Sequence, residues 1–205
     1  MYAQLLIGIS FAVASYQDVR ERAVNDVVWV PAIAGVVLVF YNLFSTASPQ
    51  LALELVKIGL VGGIGLGFAY FGAIGQADAI AIAFVAADPF PLSPIPPLVA
   101  AAVVALTHIG YEYASGNARG GLKIPMERFL KEQRWIPKAI VADGVRTKVD
   151  SDVNVAREEV EAKQTPGAMV EVGYGVPTVA YLGIGYLSYL VYLLVFDQAA
   201  FFALA

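Results

Sequence analysis

Residues 27–44 read Val-Val-Trp-Val-Pro-Ala-Ile-Ala-Gly-Val-Val-Leu-Val-Phe-Tyr-Asn-Leu-Phe, a stretch without a single charged side chain. About 20 apolar residues in a helix are enough to cross the hydrocarbon core of a bilayer. Five further segments are apolar enough, or nearly so, to do the same: 2–16, 51–71, 73–87, 95–113 and 174–196. Because the chain of 205 residues is 59% apolar and only 15% charged, it predicts an all-α polytopic membrane protein with six transmembrane helices.

The charges are concentrated in one insert, residues 114–172, which holds 10 of the 13 Lys and Arg and 9 of the 17 Asp and Glu. This polarity predicts a small mixed α/β domain between helices five and six. Within it, residues 139–149 predict a hairpin that turns at Asp143-Gly144. Residues 153–163 predict a short helix, with Ser151 or Asp152 as its N-cap. The predicted organisation is therefore 1–113, helices one to five; 114–172, the soluble domain; and 173–205, helix six with a short tail.

The basic residues predict an orientation. With six spans, Arg20, Arg22 and the ten basic residues of the insert all fall in loops on one side, and no basic loop residue falls on the other. Positively charged loops stay in the cytoplasm, so both termini are expected outside. Arg20 and Arg22 are expected to act as topological anchors, or alternatively to position the soluble domain.

Composition excludes several classes of function. A chain with no cysteine has no disulfide, thiol nucleophile or cysteine zinc site. A single histidine excludes a zinc protease of the H-E-x-x-H type. The net charge of −4 gives no basic footprint for nucleic acid. We expect no metal and no cofactor.

Two aspartates lie where their chemistry is informative. Asp78 is expected a turn or more inside span four, where an ionised aspartate is expensive. Asp18 ends span one at the same, cytoplasmic, side. A structural helix contact for Asp78 and a solvated surface position for Asp18 are the alternatives. If the carboxyl groups face each other they share a proton, which is the arrangement used in aspartic proteolysis.

The segment 14–29 around the first aspartate, Ala-Ser-Tyr-Gln-Asp-Val-Arg-Glu-Arg-Ala-Val-Asn-Asp-Val-Val-Trp, resembles the first motif of archaeal type IV prepilin and preflagellin peptidases. The segment Gly75-Gln76-Ala77-Asp78-Ala79-Ile80 resembles their second motif, the G-x-G-D signature of this class of aspartic membrane protease. Ala77 departs from the pattern, since it stands where the signature has its second glycine. The family is also similar in having six helices and a cytoplasmic domain before the last one.

The resemblance implies that Asp18 and Asp78 are the catalytic pair of an archaeal cell-membrane enzyme. Its substrates are prepilins or preflagellins, cut at the cytoplasmic face between a short charged leader and the apolar stretch that follows. Gly75, Gln76 and Ala77 lie next to the catalytic Asp78, and Gly75 is expected to give the chain conformational freedom there. Pro177 resembles a proline in the last helix of related proteases, where it either frees backbone groups for substrate or is a tolerated kink.

Other functions remain open on the sequence alone. Asp78 is also the carboxylate that a small proton- or ion-coupled carrier requires, and a non-catalytic scaffold displaying the insert is a further alternative. A serine protease is disfavoured because Ser115 lies outside any G-x-S-x-G frame. Three pairs have simpler structural interpretations: Glu54 with Lys57 as an ion pair, His108 with Glu112 as a helix-packing or interfacial pair, and Gly63 with Gly67 as a close helix contact.

Overall fold

The computed structural model describes residues 2–71, 74–89, 94–118, 121–150, 153–163, 165 and 167–196. The chain divides into two compact units. The helical unit consists of Met1–Val19, Ala23–Ala105 and Pro177–Ala205, and the sheet unit consists of Arg20–Arg22 and Leu106–Val176.

The described chain is mostly helical. Its helices are α1 (Tyr2–Glu21), α2 (Val30–Ser45, preceded by the 3-10 turn Asp26–Trp29), α3 (Gln50–Tyr70), α4 (Gln76–Ala86), α5 (Ile95–Ala114), α6 (Met126–Lys131), α7 (Val153–Ala162) and α8 (Thr178–Phe196). Its strands are β1 (Leu122–Pro125), β2 (Trp135–Ala142), β3 (Val145–Lys148) and β4 (Met169–Tyr174).

Four of the described helices are long and apolar enough to cross a membrane: α2 with its 3-10 turn, α3, α5 and α8. The other two predicted spans differ. The helix α1 has the right length but ends in a charged turn, and α4 has 11 residues, about 16 Å at the rise of an α-helix. The predicted start of span four, at Gly72–Ala73, lies outside the described residues. The predicted start of span six is wrong, because Tyr174 belongs to β4 and α8 begins only at Thr178.

Helices α3 and α4 pack through small residues, but not through the predicted pair. A Cβ on Gly63 or Gly67 would meet nothing within 4 Å, so these two glycines make no close contact with the helices that the structure describes. A Cβ on Gly62 would lie 3.5 Å from the Cβ of Ala83, and one on Gly65 would lie 3.6 Å from the Cα of Ala79. The prediction had the right helix and the wrong face. These two contacts also show that α3 and α4 run antiparallel.

Helix α1 lies between α2 and α8 and is held by close backbone contacts. A Cβ on Gly35 would lie 2.6 Å from the carbonyl oxygen of Ala3, and one on Gly8 would lie 2.8 Å from the side chain of Leu190. The hydroxyl of Ser10 accepts a hydrogen bond of 2.9 Å from the backbone N–H of Ala32. Interfaces of this kind let helix backbones approach closely where lipid offers no hydrophobic driving force.

Replacement of Gly35 by Ala is expected to destabilise the helical unit by about 1–3 kcal/mol, because the methyl group would overlap a backbone oxygen that cannot rotate away. The matched control is Gly63→Ala, where the added methyl group enters open space on another helix. It is expected to be neutral or slightly stabilising, since Ala favours a helix over Gly. Unfolding in mixed detergent micelles measures both. Equal destabilisation by the two variants contradicts the close α1–α2 contact.

The sheet unit contains an antiparallel sheet in the order β1-β4-β2-β3. The predicted hairpin is confirmed: β2 and β3 pair around Asp143 and Gly144, both of which have positive φ angles, as a two-residue hairpin turn requires. The predicted helix is confirmed as α7, whereas its expected cap residues, Ser151 and Asp152, lie outside the described residues. One face of the sheet packs on a core that includes Phe129, Trp135 and Val160.

A cluster of charged side chains packs against Trp135. The carboxylate of Glu132 accepts hydrogen bonds from Arg128 (3.0 Å), Arg134 (2.9 Å) and the indole N–H of Trp135 (2.7 Å). Burial raises the pKa of Glu132, but the hydrogen bonds from Arg128, Trp135 and Arg134 outweigh it and hold the pKa below its ordinary value. The ionised carboxylate therefore stabilises the folded sheet unit.

The stability of the sheet unit is expected to depend on pH through Glu132. A carboxyl group whose pKa is depressed by folding contributes stability above its unfolded pKa, near 4.3, and loses it as the pH falls through the folded value. Glu132→Gln should therefore lower the unfolding temperature at neutral pH. It should also make the unfolding temperature decrease less than in the wild type when the solution is acidified. Trp135 fluorescence in a Trp29→Phe background reports it. The control Glu127→Gln, at an exposed position of α6, should retain the full pH dependence.

Candidate active site

Asp78 lies in the first turn of α4, half-buried. Its Oδ2 accepts a hydrogen bond of 3.0 Å from the backbone N–H of Gly75, the residue that precedes the helix. Gly75 has φ −72° and ψ 160°, an extended conformation open to any residue, so the expected conformational freedom is not what this glycine supplies. Instead, a Cβ there would lie 3.3 Å from Oδ2 of Asp78, and its absence leaves room for the carboxylate. Gln76 is exposed and Ala77 is half-buried beside it.

Asp18 lies near the end of α1 and is only 8% exposed. Its Oδ2 accepts a hydrogen bond of 2.9 Å from the backbone N–H of Ala180, in the first turn of α8. The free N–H groups at a helix N-terminus carry partial positive charge and favour a carboxylate there. The alternative of a solvated surface aspartate is therefore not what the structure contains: Asp18 is buried and bonded to α8.

The two aspartates lie in adjoining parts of the helical unit. Asp18 binds the start of α8, which packs against α4, the helix that carries Asp78, and the negative charge of Asp18 acts on Asp78. Each carboxylate also accepts a backbone N–H at the N-terminal end of a helix, Asp78 at α4 and Asp18 at α8. Two helix termini thus stabilise negative charge on neighbouring carboxyl groups, of which one is buried and the other half-exposed to solvent.

Pro177 lies beside this site but does not kink a helix. It directly precedes α8, and its carbonyl oxygen accepts a hydrogen bond of 3.2 Å from the N–H of Tyr181. A proline at this position fits a helix start, because the first N–H groups of a helix have no intrahelical partner. The alternative of a tolerated kink within the last helix is therefore not what the structure contains. Pro177 instead starts the helical turn whose Ala180 N–H binds Asp18.

A second group of ionisable residues, which the sequence did not single out, surrounds Asp88, two residues after the end of α4. Asp88 is fully buried, and its Oδ2 accepts a hydrogen bond of 2.6 Å from the hydroxyl of Tyr186. Its backbone oxygen accepts one of 2.6 Å from Nζ of Lys57. Lys57 also pairs with Glu54 at 2.8 Å, which confirms the predicted ion pair. Glu54, Lys57, Asp88 and Tyr186, the α4 anchor, join the end of α4 to α3 and α8.

A polar cluster in the sheet unit includes the lone histidine. The imidazole of His108 lies 3.5 Å from the carboxylate of Glu112, which also accepts a hydrogen bond of 2.8 Å from Asn117. The ring of Tyr174 lies 6.2 Å from His108 and 5.9 Å from the guanidinium of Arg22. Burial raises the pKa of Tyr174, and the charge of Glu112 adds to this effect. The predicted His108–Glu112 pair is therefore present, as part of a packed polar cluster that also includes Arg22.

Across the described residues, no group of three or more acidic or histidine side chains is arranged to hold a metal ion. No protein-family model matches the chain, and no curated protein or solved structure is significantly similar to it. Asp18 and Asp78, each held by a backbone N–H, offer the chemistry of a carboxyl pair. One member can take a proton from a water molecule while the other donates a hydrogen bond to a polarised carbonyl.

Proposed function

We propose that this chain is a membrane-embedded aspartic endopeptidase that removes the short leader peptide from prepilins or preflagellins at the cytoplasmic face. The single observation that supports the proposal is that two carboxyl groups 60 positions apart, Asp18 and Asp78, bind backbone N–H groups at the starts of α8 and α4, two helices that pack together. The resemblance of both segments to the motifs of archaeal prepilin peptidases supplies the substrate class.

In the proposed reaction the two carboxyl groups hold one proton between them. The ionised carboxylate takes a proton from water as the water oxygen attacks the amide carbon of the substrate. The protonated carboxyl hydrogen-bonds to the carbonyl oxygen, and a proton then passes to the leaving nitrogen. Backbone N–H groups of Gly75 and Ala180 hold the carboxylates in place throughout.

The six-span topology, the outward termini and the cytoplasmic sheet unit are part of the same proposal. They rest on the placement of Arg20, Arg22 and the insert's ten basic residues on one side of the membrane. The partners are then the precursor proteins and the bilayer, with no nucleic acid.

The experiment is to incubate the full chain in membranes with a prepilin and with a preflagellin and to sequence the new N-terminus of any product. The proposal expects a single cut between the charged leader and the apolar stretch. It also expects no dependence on added metal. A chain that inserts correctly, in membranes that support a known prepilin peptidase, and yet cleaves neither precursor contradicts the proposal.

A second candidate function, a proton- or ion-coupled carrier, is favoured by one observation. Glu54 and Asp88 are buried within the helical unit, and intramembrane ionisable residues often mark ion pathways. Proteoliposomes containing the chain without any peptide distinguish the two functions. An ion flux that Asp78→Asn abolishes supports the carrier, whereas an absent flux together with precursor cleavage supports the peptidase.

A further inference from the structure

The sheet has one basic face. Lys123 of β1 pairs with Glu171 of β4, so their side chains project from the same face of the sheet. Lys148 and Arg146 of β3 pair with Ala139 and Val141 of β2, whose side chains project from this face as well. Lys138, at the bulge of β2, passes over the backbone of Gly173 on this side as well. The strands thus place four basic residues and one acidic residue on this face, all of the basic ones exposed.

The single acid of the basic face is already neutralised. Arg146 holds Glu171 in a two-pronged ion pair, with contacts of 2.8 and 3.0 Å. The charges of Lys123 and Lys138 also act on Glu171. Once Arg146 and Glu171 are paired, Lys123, Lys138 and Lys148 remain as a positive surface.

The opposite face of the sheet is covered by the hydrophobic core, whereas the basic face is not. Residues Ile124, Ile140, Val170 and Val172 point into the core. That core includes Phe129 of α6 and Val160 of α7. The basic face instead carries half-buried apolar side chains between its lysines: Ile136, Val141 and Met169. Basic residues interleaved with apolar ones are typical of surfaces that adsorb to anionic membranes.

Only a short stretch of chain joins the sheet to a candidate membrane span. β4 ends at Tyr174, and α8, which is long and apolar enough to cross a bilayer, begins at Thr178. Fully extended chain between these two residues covers at most about 14 Å. A surface tethered this closely meets lipid headgroups at a high effective concentration, so even weak attraction per lysine is enough for docking.

We infer that the basic face of the sheet binds the anionic headgroups of the membrane in which the chain is anchored. The lysines supply electrostatic attraction, and Ile136, Val141 and Met169 contact the headgroup layer. Each basic residue near an anionic surface contributes about fivefold to the binding equilibrium. Loss of two lysines is therefore expected to weaken docking by about 25-fold.

The experiment uses the full chain in lipid nanodiscs, with a single label attached to an introduced cysteine, since the sequence has none. Val141→Cys places the label on the basic face, opposite Arg146 of β3 and Met169 of β4. Val155→Cys is the matched control on α7, the helix on the closed side. With phosphatidylglycerol in the disc, the label at position 141 should be protected from a water-soluble quencher, and the label at position 155 should not. In pure phosphatidylcholine, and at high salt, this protection should be lost.

Charge variants then test the residues. Lys123→Gln/Lys148→Gln removes two lysines of the basic face and should abolish the protection at position 141. Lys131→Gln/Lys163→Gln removes two exposed lysines elsewhere in the sheet unit and should leave it unchanged. Either variant pair keeps the hydrophobic core, and circular dichroism checks the fold.

Three results overturn the inference. Protection that is equal in neutral and anionic discs shows that charge does not drive docking. If Lys131→Gln/Lys163→Gln lowers the protection as much as Lys123→Gln/Lys148→Gln, the net charge of the protein is responsible and not this face. Protection that appears only when an acidic protein or a nucleic acid is added assigns the face to that partner instead of lipid.

Discussion

Replacing either Asp18 or Asp78 by Asn is expected to lower the rate of precursor cleavage by about 10³-fold or more, because neither amide can exchange the proton that the reaction moves. The geometry indicates that these substitutions remove the exchangeable proton but keep the hydrogen bonds that position each side chain. In Asp18→Asn the side-chain amide oxygen can still accept from the N–H of Ala180, and in Asp78→Asn it can still accept from that of Gly75. The helix starts that position both groups should therefore survive the substitutions.

The two losses should not add. Residues that act as one catalytic unit lose most of their effect with the first substitution, so the double variant Asp18→Asn/Asp78→Asn should be about as inactive as either single variant. Cleavage of a prepilin in membranes containing matched amounts of each variant measures this. Asp26→Asn, at an exposed position at the start of the 3-10 turn, is the matched control and should retain full activity.

The variants can also distinguish a loss of catalysis from a loss of stability. If Asp78→Asn is inactive while Asp18→Asn retains substantial activity, the pair is not the catalytic unit, and Asp18 serves only to bind the start of α8. If both are inactive but unfold at lower detergent concentration than the wild type, the loss reflects stability. Only two stable, inactive single variants support shared chemistry.

The sequence was informative wherever one segment decides its own structure. The apolar stretches predicted the long helices, and the turn chemistry of Asp143-Gly144 predicted the β2–β3 hairpin. Spacing within one helix also sufficed for Glu54 and Lys57, since residues three apart lie on one helix face.

The sequence did not indicate contacts between distant segments where the partners carry no local signal. Asp18 meets Ala180 across 162 positions, and Asp88 meets Tyr186 across 98. Neither partner is marked locally, since one is a backbone N–H and the other is one of several tyrosines in α8. The same limit explains the glycines of α3, because helix spacing alone gives several small pairs there and only the position of α4 selects among them.

Removal of the lysine of the α4 anchor is expected to have the largest effect on stability. Lys57→Met deletes the ammonium group that pairs with Glu54 and donates to the backbone oxygen of Asp88. Glu54 is 3% exposed, so its carboxylate would remain buried without its cation. Breaking one partner of a buried ion pair typically destabilises a protein by about 3–5 kcal/mol. Unfolding in mixed micelles should show this loss, and Leu53→Met, at an exposed position of α3, should not.

The double variant Glu54→Gln/Lys57→Met separates charge burial from packing. It removes the uncompensated carboxylate and should recover much of the stability that Lys57→Met loses, since replacing both members of a buried pair is often close to neutral. Destabilisation that simply adds would contradict the ion pair as the source. The anchor also holds Asp88, which lies two residues after the end of α4 and 10 residues after Asp78. Loss of the anchor in Lys57→Met should therefore increase hydrogen exchange along α4. Under the peptidase proposal, Lys57→Met should also cleave the precursor more slowly. The double variant should recover cleavage to the same extent as it recovers stability.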